Sequence, residues 1–342
     1  MEAIYIHKEK DLRIDSVETP RINPDEIKVK IVRGGICGSD LHYYNHGGFG
    51  TNRLKEPMIL GHEVSGTVSK IGSDVSGFNV GDLVAVSPSR PCKRCEFCLS
   101  GVAMQCSDMK FYGSAMPFPH IHGAFREELV ALSSQCVVAN GLSAAQAAMV
   151  EPLAVVLHAL KQAGTVYGKN VLVTGAGPIG LLTILVVKSA GASRIVVTDI
   201  SDKALEVAQT LGASATINVS KDVSGLRKFD SGKGLFDFMF ECSGSEEALL
   251  AAVGAIKPRG TVIQLGMSGN MVVPMQFITT KEINLKGSFR FHEEFALGVS
   301  CILNGSIDVL PLLSHSIPFE DAVQAFEIAN DRSKSLKVQL VF

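Results

Sequence analysis

Neither sign of charge dominates this sequence: 32 lysines and arginines stand against 34 aspartates and glutamates, a formal net charge of −2 over 342 residues. Binding to nucleic acid or an anionic membrane by charge needs a basic excess or stripe, and with none here, partners of those kinds are not expected. Long apolar runs are also missing. The longest, such as Ile179 to Val187, fall well short of the ~20 residues that cross a bilayer as a helix. Met1 to Lys10 alternates polar and apolar residues without the apolar stretch of a secretory signal. A cytoplasmic location is therefore expected, with the eight cysteines as thiols and metal ligands rather than disulfides. Internal repeats and low-complexity segments are absent as well, so the chain reads as an ordinary globular protein.

At this length one core is seldom enough, and two domains are the starting expectation. From Ile4 to about residue 140 short alternating segments such as Glu26 to Val32, Val64 to Ile71 and Asp82 to Val86 are punctuated by turns, the pattern of an antiparallel, barrel-like domain. Glycines at 61, 66, 72, 77 and 81 are expected at those turns, where positive φ is cheap only for glycine. Ala144 to Gln162 carries helical spacing. From Asn170 onward apolar runs alternate with helical stretches, giving strands at Val171 to Thr174, Ile195 to Asp199, Ala215 to Ile217, Phe236 to Glu241, Thr261 to Leu265 and Ile283 to Gly287. Six strands with helices between them predict a doubly wound parallel sheet. The end strand, Lys337 to Phe342, fits the first domain better, which makes that domain discontinuous.

Cysteine is concentrated in one place: Cys92, Cys95, Cys98 and Cys106. Four thiols so close in sequence can enclose a tetrahedral Zn²⁺ with no coordination place left for water, a structural site rather than a reactive one. A bacterial iron–sulfur run would end C-x₃-C-P, whereas seven residues separate Cys98 from Cys106 and Ser107 follows. Farther on, Gly175-Ala-Gly177-Pro178-Ile179-Gly180 follows a Val-Leu-Val strand and opens a helix. In that context it is a dinucleotide fingerprint: Gly175 for the turn, Gly177 for approach to the pyrophosphate, Gly180 for close helix packing. Asp199 ends the next strand, placed to accept from the adenosine ribose hydroxyls and to repel a 2′-phosphate. NAD is favoured, with NADP admissible because Lys203 lies near enough to soften the discrimination.

Two further stretches gather reactive groups. Gly35 to His42 holds Cys37, Ser39 and His42, and Gly61-His62-Glu63 sets an imidazole beside a carboxylate, while Glu151-Pro152 adds an acid at the domain join. Cys37 and His62 with one carboxylate would make a three-ligand zinc site with its fourth place open to a substrate oxygen. Taken singly, each has a structural reading: buried thiol, satisfied core histidine, helix-start acid.

The order and spacing of these motifs resemble the zinc-dependent medium-chain dehydrogenase/reductase family over essentially the whole chain. Glu151-Pro152, where alcohol dehydrogenases of the family use a second cysteine ligand, resembles its polyol-dehydrogenase branch. The resemblance implies a GroES-like antiparallel β-barrel catalytic domain at 1–145 and 290–342, a Rossmann domain at 146–289, and the active site in the cleft. It implies two zinc ions per chain, one catalytic and one structural. The catalytic ligands are Cys37, His62 and either Glu63 or Glu151. Ser39 and His42 become a proton relay, with Ser39 touching substrate and His42 delivering to solvent. The implied reaction moves a hydride between NAD(P) and a secondary alcohol of a sugar acid or polyol, with sorbitol-, xylitol- or threonine-type substrates as rivals. A non-catalytic nucleotide-binding protein is the alternative of a different class. Tyr43 and Arg290 are the expected substrate contacts, and Arg53 and Lys55 are further cations for a carboxylate. A homo-oligomer, dimer or tetramer, is implied too.

Overall fold

The computed structural model describes residues 1–267 and 269–342. The chain divides into two compact units. One comprises Met1–Ala154, His292–Gly305 and Val309–Phe342, and the other Val155–Phe291 and Ser306–Asp308.

The first unit opens with a hairpin, β1 (Glu2–Lys8) and β2 (Asp11–Ser16), followed by β3 (Glu26–Gly35). In β3 the alternation of Ile27, Val29 and Ile31 with Lys28 and Lys30 drives one face into the core, as a period of two requires. Helix α1 (Gly38–His46) leads to β4 (Glu63–Ile71), β5 (Leu83–Val86), β6 (Glu128–Leu132) and β7 (Cys136–Val138). β3 pairs with β4 through two register shifts, and its other edge pairs with β6. Gly66, expected at a turn, lies within β4. A Cβ there would come 2.1 Å from the Lys30 carbonyl oxygen of β3, so close strand approach rather than positive φ demands the glycine.

Helix α2 (Val150–Ala163) precedes the second unit's sheet. The elements are β8 (Asn170–Thr174), α3 (Pro178–Ser189), β9 (Arg194–Asp199), α4 (Asp202–Leu211), β10 (Ala215–Asn218), β11 (Phe236–Glu241), β12 (Ile256–Gln264) and β13 (Asn284–Gly287). All pairings are parallel, in the order β10-β9-β8-β11-β12-β13. Val171, Leu172 and Val173 are buried on both faces, which is why β8 is a continuous apolar run. The chain moves outward from β8 through β9 to β10, then returns to β8's other side with β11. The order therefore reverses between β8 and β11, where open α/β sheets bind ligands beyond the strand carboxyl ends.

The final segment supplies β14 (Leu313–Pro318), α5 (Ala322–Asn330) and β15 (Lys337–Val341) to the first unit. β15 runs antiparallel to β3 at Arg33–Gly35, so the sheet reads β7-β5-β4-β3-β15-β14 with β6 also on β3. Its core gathers Ile4, Ile31, Tyr43, Phe125 and Phe326.

Candidate active site

The site in the first unit is built on the start of α1. Cys37 is the residue before the helix, in extended conformation, and its N–H donates to Asp40 Oδ2 at 2.9 Å. A carboxylate at the third helical position thus caps the helix and fixes where the Cys37 side chain leaves the backbone. Asp40 is fully buried, and its other oxygen accepts from the Gly61 N–H at 3.2 Å and lies 3.7 Å from His62 Nδ1. One aspartate therefore fastens the Cys37 turn to the His62 turn. The donor atoms of Cys37, His62 and Glu63 all lie within 4.8 Å of one another.

Behind this group stands Lys337 from β15, 2% exposed, ion-paired with Glu63 and donating to the Ile36 carbonyl at 3.0 Å. Gly35 makes the room: a Cβ there would collide with Glu63 Oε2. Burial opposes a charge on Lys337, but Glu63 and Cys37 outweigh it and raise its pKa. Burial likewise opposes charge on His62, and Asp40 and Cys37 overcome it. Glu151, in the first turn of α2, is buried as well. Burial, tempered by His62 and reinforced by Glu63, pushes its carboxyl up to about 7. Glu151 is outside the compact group of three donor atoms.

These residues suit a zinc ion. The His62 Nδ1 is buried without a hydrogen bond, and a thiol, an imidazole and a carboxylate, three donor types that zinc takes, converge within 4.8 Å of one another. The Cys92, Cys95, Cys98 and Cys106 lobe suits one too, with all four sulfurs within 4.8 Å. The short helix Glu96–Leu99 starts after Cys95, and the Cys92 N–H donates to Cys106 Sγ at 3.1 Å. Backbone amides of Cys98 and Ser107 pull the Cys95 thiol down to about 5, whereas desolvation and the neighbouring thiols push Cys98 up to about 12. A closed set of four sulfurs has the chemistry of a structural metal site.

Ser39 and His42 are one helical turn apart on α1, hence on one side of it. His42 is exposed. Desolvation of part of its ring, with the charges of His46 and Arg332, lowers its pKa. Tyr43, expected at the substrate, lies instead in the hydrophobic core: it is 2% exposed, and its hydroxyl accepts from the Ala115 N–H at 2.9 Å. Arg53 is tied to the end of α1, donating to the His46 carbonyl at 2.6 Å, and Lys55 lies 5.3 Å from the Phe118 ring centroid. Arg290, near the end of the second unit, has a positive φ of 56° with its guanidinium 4.8 Å from the Phe289 ring centroid.

The second unit holds the dinucleotide turn. Gly175 has φ of 86°, and a Cβ there would approach the Ser243 nitrogen at 2.8 Å. A Cβ on Gly180 would fall 1.8 Å from the Gly175 carbonyl oxygen, while one on Gly177 would meet nothing within 4 Å. Pro178 and Ile179 begin α3 behind Gly177. The turn is therefore packed tightly from within and open toward a ligand, as a pyrophosphate cradle requires. Asp199 Oδ2 accepts from the Ala176 N–H at 2.6 Å and Oδ1 from the Ser201 N–H at 2.8 Å, holding the carboxylate at the end of β9. Lys203 is exposed on α4.

Sequence reasoning missed Asp40 and Lys337. Asp40 had a signal, the acid three positions after Cys37 that closes the cap. Lys337 had none.

Two family models match: residues 23–141 fit the alcohol dehydrogenase GroES-like domain, and residues 178–304 the zinc-binding dehydrogenase domain. The L-idonate 5-dehydrogenase (NAD(P)(+)) of Escherichia coli K12 is 44% identical over 92% of this chain and 91% of its own. Human sorbitol dehydrogenase is 34% identical over 99% of this chain and 95% of its own. The crystal structure of the Escherichia coli L-idonate 5-dehydrogenase superimposes with a TM-score of 0.95 at 41% identity, covering 100% of this chain and 98% of that one. Fold and site together define a two-part dehydrogenase with GroES-like and Rossmann architecture. The chain belongs to the zinc-binding alcohol and polyol dehydrogenase family, as the order of its motifs implied. Among the described residues no helix is long and apolar enough to cross a membrane.

Proposed function

We propose that this chain oxidises a secondary alcohol of a sugar acid with NAD, and that L-idonate is its substrate and 5-keto-D-gluconate its product. The observation that carries the reading is the convergence of Cys37, His62 and Glu63, a cysteine–histidine–carboxylate donor set, in a chain 44% identical to an L-idonate 5-dehydrogenase. Those three residues would hold the catalytic zinc, with Glu151 as a second buried carboxylate nearby, and the four-cysteine lobe would hold a structural zinc. Zinc at the first site supplies a Lewis acid that lowers the pKa of a bound hydroxyl, an effect that takes water from about 15.7 to about 7. NAD supplies the hydride acceptor.

The chain's own residues supply the proton path and the cofactor's seat. Ser39 Oγ takes the substrate's hydroxyl proton, and the His42 imidazole on the same side of α1 delivers it to solvent. Gly175 to Gly180 cradle the pyrophosphate, and Asp199 receives the adenosine ribose. Its charge favours NAD, although the Escherichia coli relative's name gives both cofactors. Arg290 is the cation proposed for the substrate carboxylate, since Arg53 is engaged at the end of α1. We assign the catalytic domain to 1–145 and 290–342, the dinucleotide domain to 146–289, and the chain to a cytoplasmic homo-oligomer; the compact units divide instead at Ala154/Val155 and Phe291/His292.

The test is a substrate panel of L-idonate, sorbitol, xylitol and threonine with NAD and with NADP, on protein of measured zinc content. The highest kcat/KM is expected with L-idonate and NAD at two zinc ions per chain. A preference for sorbitol or threonine overturns the sugar-acid assignment, and no turnover in zinc-replete protein overturns the enzymatic reading.

A further inference from the structure

The carboxylate of Glu241 takes no part in the reaction proposed above, and it is fully buried at the end of β11. An isolated buried charge is costly, so its partners matter. Oε1 accepts from the Ser243 N–H at 2.9 Å, from the Ser243 hydroxyl, and from Thr174 Oγ1 at 3.3 Å. Oε2 accepts from the Gly244 N–H at 3.0 Å and from Gln264 Nε2 at 2.6 Å. The Glu241 carbonyl accepts from the Leu265 and Gly266 amides at 2.9 and 2.8 Å. These donors come from the carboxyl ends of three neighbouring strands: Thr174 from β8, Ser243 and Gly244 from the turn after β11, and Gln264 from β12.

The turns so joined are pressed together at backbone distance. A Cβ on Gly175 would meet Ser243, and one on Gly266 would lie 2.1 Å from the Gly244 nitrogen and 2.6 Å from Glu241 Oε2. All the donors on the carboxylate are neutral, and two of them are the main-chain amides of Ser243 and Gly244. An amide in place of the carboxylate would remove one acceptor, setting an N–H₂ either against the Ser243 N–H on the Oε1 side or against the Gly244 N–H and Gln264 Nε2 on the Oε2 side.

Position in the sheet says what these turns serve. A dinucleotide crosses the strand ends where the order reverses, between β8 and β11. Its adenosine half lies over β8 and β9, where Asp199 ends its strand, which leaves the ends of β11 and β12 to the nicotinamide half. We infer that Glu241 is a positioning residue for the nicotinamide half of the cofactor, fastening the turns after β8, β11 and β12 into one fixed floor. The inference rests on the dinucleotide reading of the second unit.

The experiment compares binding of NADH, followed by its own fluorescence, with binding of ADP, followed by calorimetry, in the full chain and in Glu241→Gln. ADP carries the adenosine and the pyrophosphate but no nicotinamide, so it reports on β8, β9 and the Gly175 to Gly180 turn and not on the ends of β11 and β12. The expected result is a Kd for NADH raised about ten- to a hundredfold, the worth of a charge-assisted hydrogen bond, with the Kd for ADP unchanged. Gln264→Met removes the amide donor to Oε2 while keeping the side-chain length. It should give the same selective loss at smaller size, and it carries the test if Glu241→Gln does not fold. Equal losses for NADH and ADP, or NADH binding at the native strength, overturn the inference. If the native chain binds neither ligand, the dinucleotide reading itself is overturned.

Discussion

Replacing Lys337 by methionine removes the cation from a buried pocket and keeps most of the side chain's volume. What remains is Asp40, fully buried, Glu63, 1% exposed, Glu151 and the Cys37 thiol, with His62 among them. Removing one partner of a buried ion pair costs about 3–5 kcal/mol, because the other charge is left uncompensated. The lysine's pKa is raised by Glu63 and Cys37 against the effect of burial. A lysine raised in the folded state contributes stability that is fully present below its unfolded pKa near 10.4 and is lost only as pH rises through the folded value. The full loss should therefore be seen at neutral pH in zinc-free protein. With zinc loaded, the metal's two charges compensate Glu63 and the thiolate. The loss should then shrink to about 1–2 kcal/mol, the hydrogen bond to Ile36 and the packing of the stem.

By linkage, the difference of about 2–3 kcal/mol must appear as tighter zinc binding in Lys337→Met, roughly 30- to 150-fold. The chain has no tryptophan, so urea unfolding is best followed by circular dichroism, in chelator and in zinc. Chelation also empties the cysteine lobe, but native and variant lose it alike and it cancels in their difference. An equal loss with and without zinc would show that Lys337 is only a packing element. A loss below about 1 kcal/mol in chelator would refute the buried pair altogether.

Cys37→Ala should fold, lose turnover and retain one zinc per chain, whereas Cys98→Ala should lose the other zinc and unfold at lower urea, since structural zinc in small peptides is worth about 10–16 kcal/mol. Metal analysis decides it, and a native content of one zinc or none contradicts both. Asp199→Ser should raise the NADP to NAD ratio of kcat/KM about ten- to a hundredfold by removing like-charge repulsion; a native enzyme that already prefers NADP would point to Lys203 instead. His42 must be neutral to accept a proton, and its pKa is lowered by desolvation and by His46 and Arg332, so native kcat/KM should persist to pH below the ordinary histidine pKa and fall only as pH drops through the lowered value. His42→Gln should abolish that acid limb, and an unchanged pH profile removes His42 from the relay. Arg290→Lys should reduce kcat/KM on L-idonate about ten- to a hundredfold and on sorbitol far less, because the planar fork is lost; equal losses on both would detach Arg290 from the carboxylate.

Contiguous chemistry was legible in the sequence. The cysteine lobe and the Gly175 to Gly180 turn depend on spacing within a few residues, and the folded chain brings each together as spacing dictates. Burial within a helix was harder to read. The resemblance implies a substrate contact at Tyr43, yet positions 40, 43 and 44 form the buried side of α1 while His42 faces out, a three-to-four spacing that tells them apart. β12 begins at Ile256, well before the expected Thr261, and so takes Lys257, Pro258, Arg259 and Gly260 into the strand. Arg259 does adopt a φ of 62°, and the β11 pairing absorbs it with a register shift between Phe236 and Phe238.

Lys337 marks the limit of such reading, and the reason is physical. Lys-Val-Gln-Leu-Val alternates polar and apolar residues, which predicts a strand with one wet face. β15 has no wet face: Lys337, Val338, Gln339 and Leu340 are all buried. Its polar side turns inward, where Gln339 donates to the Ala145 carbonyl at 2.9 Å and Lys337 reaches Glu63 and the Ile36 carbonyl, 301 positions away in sequence. The amphipathic pattern is therefore real, but the second face looks onto a cluster of carboxylates instead of water. A strand's alternation reports that its two sides differ in polarity; only the fold determines whether the polar side meets solvent or a buried charge, and here that distinction decides whether the lysine is a surface residue or the buried partner of Glu63.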